Sequence, residues 1–167
     1  MSSTSGDFAD VLAANATYTT RFDLDGLTGR ATKGLAVVTC IDTRIEPLAM
    51  LGLKPGDAKI LRNAGARVTD DVVRGLVMAA HLLDVTRVMV VAHTNCAAAG
   101  GTDDDIRDRI RAAGGPDTSG IDFLAAPDQQ ETLRHDIARL RAMPALAGVA
   151  VGGFLYDVET GRIEPVD

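Results

Sequence analysis

Short apolar runs alternate with amphipathic stretches along the chain. The runs at residues 35–39 and 87–92 are continuous and rich in β-branched residues, and they predict two buried strands. Residues 58–62 and 147–154 predict two more strands.

The stretches between these runs have helical periodicity. Residues 69–83 carry apolar side chains at helical spacing, and Thr69 is placed to cap the helix N-terminus. Residues 128–143 predict a second long helix, and shorter helices are predicted over residues 45–51 and 103–113.

The alternation of strands and helices predicts an α/β fold with a parallel-core sheet and helices on both faces. We expect the strand order 2-1-3-4, with a C-terminal hairpin over residues 155–164 as an antiparallel edge. The length of 167 residues predicts one domain. We expect residues 1–6 to be disordered and residues 7–20 to form a weakly apolar helical arm that lies on a partner subunit.

Composition narrows the classes of partner. The net charge of −6 argues against nucleic acid and anionic membranes. No apolar run approaches the roughly 20 residues of a membrane helix, and the N-terminus lacks the features of a secretory signal. We therefore expect a cytoplasmic location, where the two cysteines are metal-binding, catalytic or inert rather than a structural disulfide.

Both cysteines follow predicted strands. Cys40 comes directly after the first strand, and His93 and Cys96 follow the strand at 87–92. If those strands are neighbours, their carboxyl ends meet in one crevice. Two thiolates and one imidazole suit Zn²⁺ and leave the fourth tetrahedral position for water, whose pKa then falls from about 15.7 toward about 7. The sequence therefore predicts a catalytic zinc site with Cys40, His93 and Cys96 as ligands.

An acid–base pair stands beside this cluster. Asp42 and Arg44 are two positions apart just after the first strand, so an extended backbone places them on one side. Arg44 can bind the carboxylate in a bidentate pair and keep it ionised. Our hypothesis is that Asp42 orients the zinc-bound hydroxide and that Arg44 holds Asp42. Released from Arg44, Asp42 would instead close the fourth zinc position.

The remaining motifs give weaker indications of function. The chain has no Cys-x-x-Cys and no Gly-x-Gly-x-x-Gly motif, so thioredoxin-like and dinucleotide-binding functions lack support. We interpret His81 and His135 as structural or solvated, and residues 103–105 as an acidic first helical turn. Residues 62–65 are either an anion-binding turn or a plain strand-to-loop turn.

The combined motifs resemble the β-class carbonic anhydrases, most closely the short, compact branch of that class. The resemblance extends from about residue 7 to the end of the chain. Its motifs are Cys40-x-Asp42-x-Arg44, Arg62-Asn63-Ala64-Gly65, Val68-Thr69-Asp70-Asp71, His93-Thr94-x-Cys96 and the C-terminal Gly153-Phe154-Leu155-Tyr156-Asp157-Val158-x-Thr160-Gly161.

The resemblance implies a zinc enzyme that interconverts CO₂ and bicarbonate, with one Zn²⁺ per subunit. It implies Cys40, His93 and Cys96 as zinc ligands and Asp42 with Arg44 as the catalytic dyad. It also implies a homodimer, often paired into tetramers, with the sites near the subunit interface.

One departure and two alternative functions accompany the resemblance. The family usually has Gly-Met after the second cysteine, whereas this chain has Ala97-Ala98, so we expect the loop behind Cys96 to differ. The same zinc site would also suit hydrolysis of carbonyl sulfide or carbon disulfide. A third alternative is a zinc-binding protein without turnover.

Overall fold

The computed structural model describes residues 4–166, and a five-stranded sheet forms its centre. The strands are β1 (Leu35–Cys40), β2 (Ala58–Asn63), β3 (Arg87–His93), β4 (Ala150–Tyr156) and β5 (Ile163–Val166). They lie in the order β2-β1-β3-β4-β5; the first four are parallel, and β5 runs antiparallel to β4. The predicted α/β class, the 2-1-3-4 order and the antiparallel edge are confirmed.

Six α-helices occur within residues 4–166. They are α1 (Thr4–Asp7), α2 (Ala9–Thr19), α3 (Pro47–Met50), α4 (Asp70–Leu82), α5 (Asp103–Ala112) and α6 (Gln129–Arg141). Three short 3₁₀ turns cover Ala64–Ala66, Ala97–Ala99 and Pro144–Leu146. None of the described helices is both long enough and apolar enough to span a bilayer.

Side-chain caps set the starts of the longer helices. Thr69 accepts a hydrogen bond from the amide of Val72 at the start of α4, as the sequence predicts. Thr102 and Asp105 form a reciprocal capping box at the start of α5, which explains the acidic first turn of that helix.

The structure differs from the sequence prediction at two element ends. The helical turn α1 overlaps residues 1–6, the segment predicted to be disordered, of which residues 1–3 lie outside the described part of the chain. β4 begins at Ala150 rather than at residue 147. The reason is that the 3₁₀ turn Pro144–Leu146 and the positive φ of 84° at Gly148 redirect the chain before the strand can start.

The two faces of the sheet are covered unequally. On one face, α4 and α6 pack on Val38 and Val90, which are fully buried. On the other face, Val37 and Val91 lie under only the short α3 and the loop after it. The predicted helices are therefore present on both faces, but the second face carries much less cover from its own chain.

A buried ion pair ties the loop after β2 to α6. The Asp136 carboxylate accepts hydrogen bonds from Arg67 Nε at 2.9 Å and from the amide of Val68 at 3.0 Å. Arg67 also donates to the carbonyl of Leu124 at 2.6 Å. Because the Asp136 side chain is only 6% exposed, this network is shielded from solvent and holds the loop against the helix.

Loss of the Asp136 carboxylate should therefore destabilise the fold. We expect Asp136→Ala to lower the free energy of unfolding by about 3–5 kcal/mol, because it leaves Arg67 buried without its partner. The control is Asp71→Ala, which removes an exposed ion pair with Arg74 and should cost less than about 1 kcal/mol. Urea unfolding of both variants measures the difference; equal losses would contradict the buried role.

Candidate metal centre

The pairing of β1 with β3 brings the predicted ligands together. Cys40 ends β1 and His93 ends the neighbouring β3, and both strands run in the same direction. A turn that includes Asn95, with a positive φ of 55°, brings Cys96 back toward them. The ligand atoms of Cys40, His93 and Cys96 all lie within 4.8 Å of one another, and all three residues are buried.

The donor geometry fits a tetrahedral Zn²⁺ ion. The Cys40 and Cys96 sulfurs are 4.0 Å apart, close to the about 3.8 Å expected for two thiolates on one ion with bonds of about 2.3 Å. His93 Nδ1 lies 2.8 Å from the carbonyl of Thr94. The other ring nitrogen, Nε2, is buried and has no hydrogen-bond partner among the described residues. A metal ion bound to Nε2 would give this nitrogen a partner. A hydrogen bond between Nδ1 and a backbone carbonyl is a usual way to orient a histidine that binds a metal ion.

The two thiols interact strongly with each other. A hydrogen bond with Cys96 lowers the pKa of Cys40 well below that of an ordinary thiol, and an N–H···S bond of 3.4 Å from Gly65 acts in the same direction. The same bond with Cys40, together with burial, raises the pKa of Cys96. The pair therefore holds one thiolate readily, and a metal ion that takes both sulfurs must release the second proton.

Asp42 and Arg44 form a bidentate ion pair beside the cluster. Arg44 Nε donates to Asp42 Oδ1 at 2.9 Å, and Arg44 Nη2 donates to Oδ2 at 2.7 Å. These hydrogen bonds hold the pKa of the Asp42 carboxyl far below its usual value. Asp42 Oδ2 lies 3.9 Å from His93 Nε2, and Arg44 Nη2 also donates to the carbonyl of Asn95 at 3.1 Å. The structure thus places an ionised carboxylate at the edge of the candidate metal site.

Arg62 is a supporting residue that the sequence reasoning missed. Its Nε donates to the carbonyl of Cys40 at 2.8 Å, and its Nη2 donates to the carbonyl of Asp42 at 2.7 Å. One guanidinium therefore fixes the backbone on both sides of Ile41. The sequence marks Arg62 as the first residue of the Arg62-Asn63-Ala64-Gly65 motif at the end of a predicted strand, but it does not say what the guanidinium binds.

The segment after Arg62 is a turn that serves the cluster. The side chain of Asn63 bonds both the amide and the carbonyl of Arg67 and so closes the turn. Gly65 has a φ of +77°, and a Cβ there would lie 3.1 Å from the Cβ of Ala98. Both interpretations of residues 62–65 require a turn, and the structure has that turn. Its Gly65 amide donates a hydrogen bond to the Cys40 sulfur.

The loop behind Cys96 does not need glycine in this chain. Ala97 and Ala98 lie in a 3₁₀ turn, and neither has a positive φ. The left-handed residue of this region is Asn95, which tolerates that conformation better than most residues. His81 and His135 are exposed and lie outside the cluster, and His81 bonds the carbonyl of Ala145.

Comparison with known proteins identifies the family. A sequence profile described as carbonic anhydrase matches residues 35–114. The β-carbonic anhydrase 1 of Mycobacterium tuberculosis is 35% identical over 160 residues, which cover 94% of this chain and 96% of that protein. The chain belongs to the β-carbonic anhydrase family. The predicted resemblance is thereby confirmed.

Two further proteins similar to this chain are a carbonic anhydrase of known structure and a carbon disulfide hydrolase. The crystal structure of the carbonic anhydrase from Streptococcus mutans superposes with a TM-score of 0.87 at 36% identity and covers all of both chains. A carbon disulfide hydrolase from Acidithiobacillus thiooxidans is 26% identical over 151 residues, which cover 78% of this chain and 76% of that protein.

The Arg62 contacts generate a prediction about metal affinity. We expect Arg62→Gln to weaken Zn²⁺ binding by about 10- to 100-fold, because the backbone that carries Cys40 and Asp42 loses its brace. Competition with a chromophoric chelator measures the affinity. Arg74→Gln makes the same chemical change on the exposed surface of α4 and should leave the affinity unchanged. Equal affinities in the two variants would contradict the bracing role.

Proposed function

We propose that this chain catalyses the reversible hydration of CO₂ to bicarbonate and a proton, with one Zn²⁺ held by Cys40, His93 and Cys96. The observation that carries the proposal is the convergence of three buried donor atoms within 4.8 Å beside a bidentate carboxylate–guanidinium pair. Membership in the β-carbonic anhydrase family supports the same reaction. A cytoplasmic location stays a prediction.

Each residue of the site has a defined task in this proposal. When bound, Zn²⁺ lowers the pKa of a coordinated water toward neutrality and so supplies a nucleophile at physiological pH. Asp42 would accept a hydrogen bond from the attacking water or hydroxide and so orient it toward the carbon of CO₂. Arg44 keeps Asp42 ionised and paired, so the carboxylate would not be free to bind the metal ion itself. The pairing of Asp42 with Arg44 in this structure supports the orienting role.

Stopped-flow CO₂ hydration by the zinc-loaded protein tests the proposed reaction. We expect turnover that rises between about pH 7 and 9, the range that brackets the pKa of zinc-coordinated water. Removal of the metal by a chelator should return the rate to background, and added Zn²⁺ should restore it. A stoichiometric zinc content with no turnover at any pH would contradict the proposal.

A second candidate reaction is hydrolysis of carbon disulfide or carbonyl sulfide. The specific observation in its favour is the similarity to the carbon disulfide hydrolase of Acidithiobacillus thiooxidans. Attack on a linear triatomic carbon is common to all three substrates, so the same site serves each. Release of hydrogen sulfide from carbonyl sulfide or carbon disulfide, without CO₂ hydration, would favour this reaction. Bound zinc with neither activity would leave the non-catalytic alternative.

The role of Asp42 leads to a prediction about turnover. We expect Asp42→Ala to lower the rate of CO₂ hydration at least about tenfold, because the nucleophile loses its orienting hydrogen bond. The zinc content should stay at one ion per chain, since Asp42 is not a proposed ligand. Asp104→Ala, which removes an exposed carboxylate at the start of α5, is the matched control and should keep full activity. Unchanged turnover in Asp42→Ala would contradict the role.

The proposed assembly is a homodimer in which α2 of one copy covers the other. No residue of α2 is buried. Val11, Leu12 and Tyr18 of this helix, and Phe8 directly before it, each expose more than half of their surface. The poorly covered face of the sheet offers a groove of about 450 Å³ whose lining includes Leu53, Met89 and Phe154. Exposed apolar surface on both elements supports an exchange of helices between two copies. Pairing of such dimers into tetramers stays a prediction.

The helix exchange predicts that a charge on α2 separates the dimer. We expect Leu12→Asp to weaken dimerisation about a hundredfold or more, because each dimer loses two buried leucines worth about 1.5–3 kcal/mol apiece. Sedimentation of the full-length protein over a range of concentrations measures the dissociation constant. Asn15→Asp adds the same charge at a polar position of the same helix and should leave the dimer intact. A wild-type monomer would contradict the proposed assembly.

A further inference from the structure

An apolar groove lies beside the candidate metal centre and is distinct from it. Its volume is about 400 Å³, and it lies between the turns that follow β2 and Cys96 on one side and α5 on the other. Ile106 and Ile110 of α5 line it, together with Ala113 at the C-cap of the helix, since positions three and four apart share a helix face. Ala64, Ala97, Ala98 and Phe123 complete the apolar lining.

Arg109 is the one charged residue in the lining of this groove. Its guanidinium makes only long hydrogen bonds, of 3.3 Å to the carbonyl of Ala97 and 3.4 Å to the carbonyl of Asp105. Within residues 4–166, no carboxylate oxygen lies within 4.0 Å of its nitrogens. The two neighbouring arginines of α5 are both paired, Arg107 with Asp104 and Arg111 with Asp108. Arg109 therefore forms no ion pair of that length, although the Asp105 carboxylate, one helical turn away, interacts with its charge.

We propose that this groove binds an amphipathic monoanion, an aromatic or branched alkyl carboxylate or sulfonate. The apolar body lies against Ile106, Ile110 and Phe123, and the anionic group pairs with Arg109. Each half of the ligand is needed. A hydrophilic anion gains nothing from the apolar wall, and a cation is repelled by the guanidinium.

The size of the groove separates this ligand from the substrate of the proposed reaction. Pockets for organic ligands have volumes of about 300–1,000 Å³, so about 400 Å³ accommodates a molecule much larger than CO₂. The bound molecule contacts Ala97 and Ala98, which directly follow Cys96, and so lies against the loop of the metal centre. Its binding does not depend on the CO₂ reaction, and the two proposals fail separately.

Fluorescence titration of the full-length, zinc-loaded protein with 2-naphthoate tests the proposal. The chain contains no tryptophan, so naphthalene emission is read against a low protein background. We expect saturable binding with a dissociation constant below about 1 mM. The uncharged 2-naphthylmethanol should bind at least about tenfold more weakly, since it lacks the charge-assisted hydrogen bond to Arg109. The cationic 2-naphthylmethylamine should bind more weakly still.

Two variants with matched controls locate the ligand in the groove. Arg109→Gln should weaken 2-naphthoate at least about tenfold, whereas Arg111→Gln, with the same loss of charge outside the lining, should not. Ala113→Leu should weaken it by filling the groove, whereas Ala112→Leu should not, because Ala112 lies outside the lining. Circular dichroism of all four variants confirms that α5 is retained.

Three results would overturn the proposal. The first is an absence of saturable binding, as expected if a second copy of the chain covers the groove. The second is binding that is equal for the three naphthalene probes or insensitive to Arg109→Gln. The third is binding through the metal, which would shift the visible absorption bands of the Co²⁺-substituted protein as 2-naphthoate is added.

Discussion

Parallel pairing of β1 with β3 is the constraint on which the site depends. The register sets Thr39 opposite Val91, so that Cys40 and His93 end adjacent strands at the same edge of the sheet. The buried Thr39 hydroxyl adds a bond of 3.0 Å to the carbonyl of Val91 within this pairing. A slip of one residue would turn the Cys40 side chain to the opposite face and remove it from the cluster.

Two arginines extend this constraint from the strands to the loops after them. Arg44 joins Asp42 to the turn between His93 and Cys96, and Arg62 holds the backbone on both sides of Ile41. These contacts are made to backbone carbonyls as well as to the Asp42 carboxylate. The two arginines therefore fix the positions of the loops in addition to balancing the charge of Asp42. The buried Nε2 of His93 has no hydrogen-bond partner among the described residues, and a metal ion held by the cluster would satisfy it.

The hydrophobic pattern predicted most of the fold because strand and helix periods are local properties. The strand order could also be predicted, because alternating strands and helices allow few sheet arrangements. The predicted order sets β1 beside β3, and it therefore predicted that Cys40 lies near His93. The contacts of Arg62 with Cys40 and of Arg67 with Asp136 did not follow. They join positions 22 and 69 apart, and nothing local in the sequence states which acceptor an arginine reaches. The late start of β4 depends on the left-handed Gly148, which an apolar run conceals.

A crystal structure of the zinc-loaded protein is the most direct test of this site. It would show whether the β1–β3 pairing arranges Cys40, His93 and Cys96 around one ion, and whether Arg44 keeps Asp42 away from that ion. We expect a single Zn²⁺ bound by the sulfurs of Cys40 and Cys96 and by Nε2 of His93, with Asp42 still paired to Arg44. Zinc bound elsewhere, or coordinated through Nδ1 of His93, would contradict it. Asp42 released from Arg44 and bound to the ion at neutral pH would contradict it as well.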